Sequence, residues 1–292
     1  MQTILHDPKK DGPLSLKNDG KLELFFIGTG SAIARPPLRQ TNFLIIKGDT
    51  HIAVDFGTTG QIALEEATGL GLTDIEVILP THSHDDHVGG TGGLAIANRY
   101  VGQPFMKKPK LKMIITPQYQ PVLWDRTLRG GLEYNEELGS RARYLDLTDY
   151  FDIVHPTWMR NKPREVFEIV FGEIRLELFR TKHIPDNVID WQKSFISYGL
   201  WIDNRVFVSV DTRFDRDLIE MYEDRSEFLF HDCQLFDPET VHATLTDLQK
   251  IPKDIRKRMF LMHYGNNWQN FEARANSEFL GFAKQGIRYI FD

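Results

Sequence analysis

Cysteine is almost absent from this chain. A single residue, Cys233, in 292 excludes an internal disulfide framework and any zinc site built from several thiolates. No apolar run approaches the roughly 18–20 residues needed to span a bilayer, and the Asp-, Lys- and Pro-containing N-terminus is unlike a signal peptide. The expected location is therefore the cytoplasm, with no membrane partner. Fixed-period repeats and low-complexity tracts are missing too. Net charge is small, −6 from 35 Lys plus Arg against 41 Asp plus Glu, which argues against the broad basic face of a large nucleic-acid footprint. What remains is a globular composition, 41% hydrophobic and 26% charged, that excludes a disordered tail, a collagen-like rod and a coiled coil.

Residues 1–21, with Pro8, Pro13 and no apolar periodicity, read as an N-terminal arm, and residues 22–292 as one domain. The run Leu22-Glu23-Leu24-Phe25-Phe26-Ile27 reads as a strand ended by Gly28-Thr29-Gly30-Ser31, a turn whose glycines allow positive φ and close backbone approach. Asn42 to Ile46 and His51 to Val54 read as a hairpin, Gln61 to Thr68 as a helix, and Glu76 to Leu79 as a short strand. Further strands are expected near 111–115, 167–171, 174–180, 198–202, 205–210, 228–231, 258–262 and 288–291, with helices at Thr244 to Gln249 and Ser277 to Ala283. Two β-rich halves edged by helices suggest a layered α/β sandwich.

The apolar strand at 76–79 runs into Thr81-His82-Ser83-His84-Asp85-Asp86-His87. Three histidines and two aspartates in six residues at the end of a buried strand have no packing use, because burying that many polar groups is costly. As metal ligands they make sense: imidazole and carboxylate without thiolate suit zinc, and manganese or iron fit the same donors. Four ligands from one loop cannot all reach one ion, so two adjacent sites follow and the rest of the chain must complete them. His183, Asp211 and His263 each follow an apolar strand, the place where open α/β sheets build their sites. Asp55, also after a buried strand, reads as the acceptor that orients a ligand imidazole.

The H-x-H-x-D-H loop, the distal His183, the Asp of Val210-Asp211-Thr212 and the late His263 together resemble the metallo-β-lactamase superfamily. Gly28-Thr29-Gly30-Ser31 and Val54-Asp55-Phe56-Gly57 resemble that superfamily's opening strands. The resemblance covers the chain from Leu22 onward and implies a four-layer αββα sandwich. It implies two Zn²⁺ per chain, one held by His82, His84 and His183, the other by Asp86, His87 and His263, with Asp211 bridging. It also implies a homodimer.

Phe230-His231-Asp232-Cys233 and Val241-His242-Ala243-Thr244 resemble motifs of the ribonuclease Z-like phosphodiesterase branch. There an acidic residue orients a histidine that protonates the leaving oxygen, which implies His242 as general acid, Asp232 as its partner (one methylene shorter than the usual Glu), and Asp86 as a catalytic metal ligand. The Gly/Pro-rich arm with which ribonuclease Z grips transfer RNA has no counterpart. The expected function is thus binuclear hydrolysis of a small anionic phosphodiester, such as a cyclic mononucleotide. The alternatives are RNA 3′-processing of ribonuclease Z type, lactone or thioester hydrolysis, and a non-hydrolytic di-iron sensor. Between Arg99 and Tyr144, nine basic residues face four acidic ones, which nominates Arg126 and Arg129 as phosphate contacts and Tyr119, Trp124 and Tyr134 as stacking rings.

Overall fold

The run from Leu22 to Ile27 shows no alternation because the strand it forms, Leu22–Gly28, is buried along its whole length, and a strand covered on both faces reads as continuous apolar sequence. The computed structural model describes residues 1–138 and 141–292, without the side chains of Leu138, Arg141 and Ala142. Its chain forms two compact units. One comprises Met1–Ile27, Asn42–Pro156 and Arg288–Asp292; the other comprises Gly28–Thr41 and Thr157–Ile287.

The first unit is built on an eight-stranded sheet in the order Gln2–Leu5, Ile287–Phe291, Leu22–Gly28, Asn42–Lys47, Thr50–Val54, Val77–Leu79, Leu111–Ile114, Phe151–Val154. The hairpin Asn42–Lys47/Thr50–Val54 is antiparallel, and from Thr50–Val54 onward the pairs are parallel. Glu23, buried in this sheet, receives two bonds from the Arg288 guanidinium, at 2.7 and 2.8 Å, a bidentate pair that fixes the register of the C-terminal strand.

The second unit carries its own eight-stranded sheet, Thr157–Trp158, Val166–Phe171, Ile174–Arg180, Tyr198–Ile202, Val206–Val208, Phe228–Asp232, Met259–Met262, Gly281–Phe282. It too turns from antiparallel to parallel, at Val206–Val208 against Phe228–Asp232. Phe179 stacks on Phe207 with ring centroids 5.1 Å apart, and Tyr222 and Trp201 extend the cluster. In both sheets the parallel strands end at the residues of chemical interest: Asp55 and the His82 loop in the first, Asp211, Asp232 and His263 in the second.

Several local expectations change. Gln2–Leu5 and the short helix Pro8–Asp11 lie within the segment read as an arm, and Gln2–Leu5 edges the first sheet. The helix expected at Ser277 to Ala283 lies earlier, at Glu272–Glu278; Phe279 turns extended and Gly281 takes a φ of 111°, so Gly281–Phe282 pairs instead as a strand. Helix Thr91–Ala97, continued by a wide turn at Asn98–Gly102 and by Gln103–Met106, has no counterpart among the expected elements. Neither Gly28 nor Gly30 has positive φ. They are required by close approach: a Cβ on Gly30 would stand 2.6 Å from Ala34 Cβ and 2.7 Å from Leu38 Cγ. Among the described residues no helix is long and apolar enough to cross a membrane.

Candidate metal centre

Each unit carries one cluster of buried imidazoles and carboxylates. In the first, the chain leaves strand Val77–Leu79 and re-enters a short helix, Asp85–Val88, with His84 at its N-cap. This turn places His82 Nε2 3.1 Å from His84 Nδ1 and His87 Nε2 3.3 Å from Asp86 Oδ2, with the His82 and His87 rings 4.1 Å apart. Asp85, the other acid of the motif, is drawn off by Thr58, whose hydroxyl donates to it at 2.5 Å. Asp55 braces the loop from the neighbouring strand end: it accepts from the Thr81 N–H at 2.7 Å and the Thr81 hydroxyl at 2.8 Å, and its Oδ2 lies 2.7 Å from His87 Nδ1. Burial pushes the Asp55 carboxyl above its ordinary range, against the pull of His87 and Thr81. A cation on His87 would tip that balance toward the ionised form.

In the second unit, Asp211 sits between two histidines. Its Oδ2 lies 3.6 Å from His183 Nε2 and its Oδ1 3.5 Å from His263 Nε2. Residues at these strand ends adopt unusual backbone: Val210 has φ 51° and His263 φ 58°, as Asp55 has φ 61° in the first unit. A β-branched residue in the left-handed region is strained, and such strain gathers at functional sites. Ligand atoms of Asp211, Asp232, His242 and His263 all lie within 4.8 Å of one another.

The donors fit divalent cations. Two ligands bound at about 2.1 Å to one tetrahedral ion stand roughly 3.4 Å apart, and the four donor pairs above span 3.1 to 3.6 Å. In three of the histidines the remote ring nitrogen is held: His82 Nδ1 by the Thr81 hydroxyl at 3.1 Å, His87 Nδ1 by Asp55 at 2.7 Å, and His183 Nδ1 by the Val241 carbonyl at 3.0 Å. That arrangement fixes tautomer and ring orientation so that the opposite nitrogen can bind a metal.

Asp232 and His242 meet as well. His242 Nδ1 lies 2.7 Å from Asp232 Oδ2, which also accepts from the Thr212 N–H at 3.0 Å; Asp232 Oδ1 lies 3.4 Å from His263 Nδ1. Burial opposes charge on His242, but the Asp232 and Asp211 carboxylates outweigh it and raise its pKa. Burial also opposes charge on Asp232, yet His242 and His263 hold its carboxyl below the usual range. Beside this pair opens a cavity of about 450 Å³, lined in part by His242, His263, Arg35 and Phe236.

A family model described as Anti-Pycsar protein Apyc1 matches residues 22–289, nearly the whole chain. The chain belongs to the Apyc1 family. It is 34% identical over 273 residues to the Anti-Pycsar protein Apyc1 of Paenibacillus xerothermodurans, a match covering 92% of this chain and 98% of that one. Among solved structures, the metallo-beta-lactamase fold protein YhfI from Bacillus subtilis aligns with a TM-score of 0.65 at 15% identity, over 93% of this chain and 100% of that one. Human tRNase Z, short form (ELAC1), aligns with a TM-score of 0.62 at 18% identity, over 91% and 98%. The fold of this Apyc1 family member is therefore α/β and of metallo-β-lactamase type, with two large mixed sheets flanked by helices.

The basic middle segment of the chain is largely engaged in ion pairs of its own unit. Arg129 is held by Glu133 at 2.6 Å and Asp125 at 3.4 Å, Arg99 by Glu136, Arg143 by Glu136 and Asp149, and Lys110 by Asp152. Arg126 is exposed, and the Arg141 side chain lies outside the described residues. Tyr119 is fully buried, its hydroxyl 3.0 Å from Ser83 Oγ, so its ring has no face for a substrate. Tyr134 packs edge-on against Tyr144.

Sequence reasoning missed Thr81, which orients both His82 and Asp55, and missed Arg35 and Phe236. The Thr81 signal was present, a hydroxyl directly before the first ligand. For Phe236 there was none, because a cavity gathers residues from loops far apart in the chain.

Proposed function

We propose that this protein is a binuclear metal-dependent phosphodiesterase that hydrolyses a cyclic mononucleotide. One observation carries the reading: the second unit sets the His242–Asp232 pair, 2.7 Å apart, beside the Asp211, His183 and His263 donors. A thioester site, whose thiolate can leave unprotonated, has no need of that additional proton donor. The family description, anti-Pycsar, implies a small cyclic-nucleotide substrate, and a cavity of about 450 Å³ falls in the range of small-molecule sites, roughly 300–1,000 Å³.

The ligand set in this reading is His82, His84 and His183 for one ion and Asp86, His87 and His263 for the other, with Asp211 shared. Zinc suits these donors, and manganese or iron remain compatible. When bound, two such cations polarise the phosphoryl oxygens and lower the pKa of water toward about 7. Water adds its oxygen to phosphorus, one ester P–O bond of the cyclic phosphate breaks, and the departing ribose oxygen must gain a proton. His242 donates that proton, contributing about 10²–10⁴-fold, while Asp232 holds its ring in place. Asp55 and Thr81 keep the His87 and His82 rings aimed. Arg126 and Arg129 remain proposed phosphate contacts. A cytoplasmic homodimer completes the reading.

A panel of 3′,5′-cyclic mononucleotides, bis-aryl phosphodiesters, short RNA and lactones with added Zn²⁺ or Mn²⁺ tests it. Turnover of the cyclic nucleotides is expected; RNA cleavage or lactone turnover with intact cyclic nucleotides overturns it.

A further inference from the structure

We infer that the cavity beside His242 and His263 is the nucleobase subsite of the phosphodiesterase proposed above, on which this inference rests, and that Phe236 is its stacking face. The ribose oxygen that takes the proton from His242 belongs to the same sugar that carries the base. The base must therefore lie within one sugar ring of His242, and His242 forms part of this cavity's wall.

The rim is built to hold a ring out toward solvent without letting it wander. Phe236 is 62% exposed, yet its backbone is stitched down: the Gln234 amide donates to the Phe236 and Pro238 carbonyls at 2.8 Å each, and the Thr240 hydroxyl donates to Gln234 Oε1 at 2.5 Å. Another stretch of the lining is tied by a reciprocal pair. The Arg35 N–H donates to Asn266 Oδ1 at 2.8 Å, and the Asn266 amide donates to the Arg35 carbonyl at 2.7 Å.

These bonds spend both Gln234 amide hydrogens and one of the Asn266 pair on backbone carbonyls, so the side chains that brace the rim have little left for the edge of a base. Phe236 is the one Phe, Tyr or Trp ring among the lining side chains and offers a base its π face, and the Arg35 guanidinium is the one permanent charge. An aromatic ring carried on a fixed backbone leaves only its own side-chain rotation to be ordered when a base stacks on it.

The test uses the metal-loaded full chain and compares wild type, Phe236→Ala and Phe236→Trp. Substrates are a 3′,5′-cyclic mononucleotide and the corresponding abasic ribose 3′,5′-cyclic phosphate. Loss of one stacking face predicts that Phe236→Ala raises KM for the nucleotide about 10-fold or more, well beyond its effect on the abasic compound, with kcat moving far less. Phe236→Trp should restore the nucleotide KM. Equal KM changes on both substrates, or none, overturn the subsite.

A second readout is independent of turnover: fluorescence that Phe236→Trp adds over wild type should be quenched saturably by a free nucleoside. If wild type cleaves no phosphodiester at all, the proposed function fails, and this titration alone decides the cavity. Saturable quenching supports base binding there, and its absence overturns it.

Discussion

Asp232 Oδ2 and His242 Nδ1 lie 2.7 Å apart, so one fully buried carboxylate fixes the ring of a histidine that lines a cavity. The same carboxylate reaches His263 through its other oxygen, at 3.4 Å. A shorter acid than the ribonuclease Z-like branch usually carries still closes the contact, because Asp232 is the last residue of strand Phe228–Asp232.

His242→Ala should keep its bound metal yet lose about 10²–10⁴-fold in kcat on substrates with alkoxide leaving groups. Activated aryl phosphodiesters, whose leaving group needs no proton, should slow much less. Metal content together with rates on both substrate types checks this; loss of metal would make His242 a ligand.

Asp55→Asn should weaken metal binding about 10–100-fold, since it disturbs the acceptor that holds His87 Nδ1. Competition against a chromophoric chelator measures the change. Metal affinity equal to wild type would reduce Asp55 to a brace for Thr81.

Arg126→Glu should raise KM for anionic phosphodiesters more than for neutral esters, and Arg129→Glu should do so less, because Glu133 and Asp125 already hold the Arg129 guanidinium. Steady-state kinetics at two ionic strengths checks it. Equal effects on charged and neutral substrates would leave the segment a solvated face.

His51 supplies a pH dependence of stability. Buried in the first sheet, it accepts the Glu76 N–H on Nε2 at 3.1 Å, and burial lowers its pKa below the ordinary 6.5. The unfolded chain then binds a proton near pH 6.5 that the folded chain does not, so this contribution is present above about 6.5 and lost as pH falls below it. Thermal unfolding of the metal-free protein between pH 7.5 and 5.5 should show a drop that His51→Gln makes shallower. An unchanged slope in the variant would place the acid sensitivity elsewhere.

Most of the frame was legible in its strand patterns: Leu22 to Ile27, buried along its whole length, reads as a nearly continuous apolar run, and Ile174 to Arg180 alternates Ile174, Leu176 and Leu178 with Arg175 and Glu177. The ligand loop was legible because no packing role explains three histidines in six residues. Gln2–Leu5 was not, since a short, largely exposed edge strand carries no apolar pattern. The helix from Thr91 was hidden by Gly89, Gly90, Gly92 and Gly93, whose helix propensity is low. Gly281 was misplaced into a helix because a positive φ cannot be seen in composition. The cavity at Phe236 depends on loops braced by side-chain amides, and no spacing rule encodes those bonds.

The most direct measurement is product analysis after incubating the purified protein with a 3′,5′-cyclic mononucleotide, with and without chelator, alongside Asp86→Ala. Conversion to the linear nucleoside monophosphate is expected, abolished by chelation, restored by Zn²⁺ or Mn²⁺, and collapsed in Asp86→Ala. Intact cyclic nucleotide in the metal-loaded wild type, or conversion that persists undiminished in Asp86→Ala and in chelator, would contradict it.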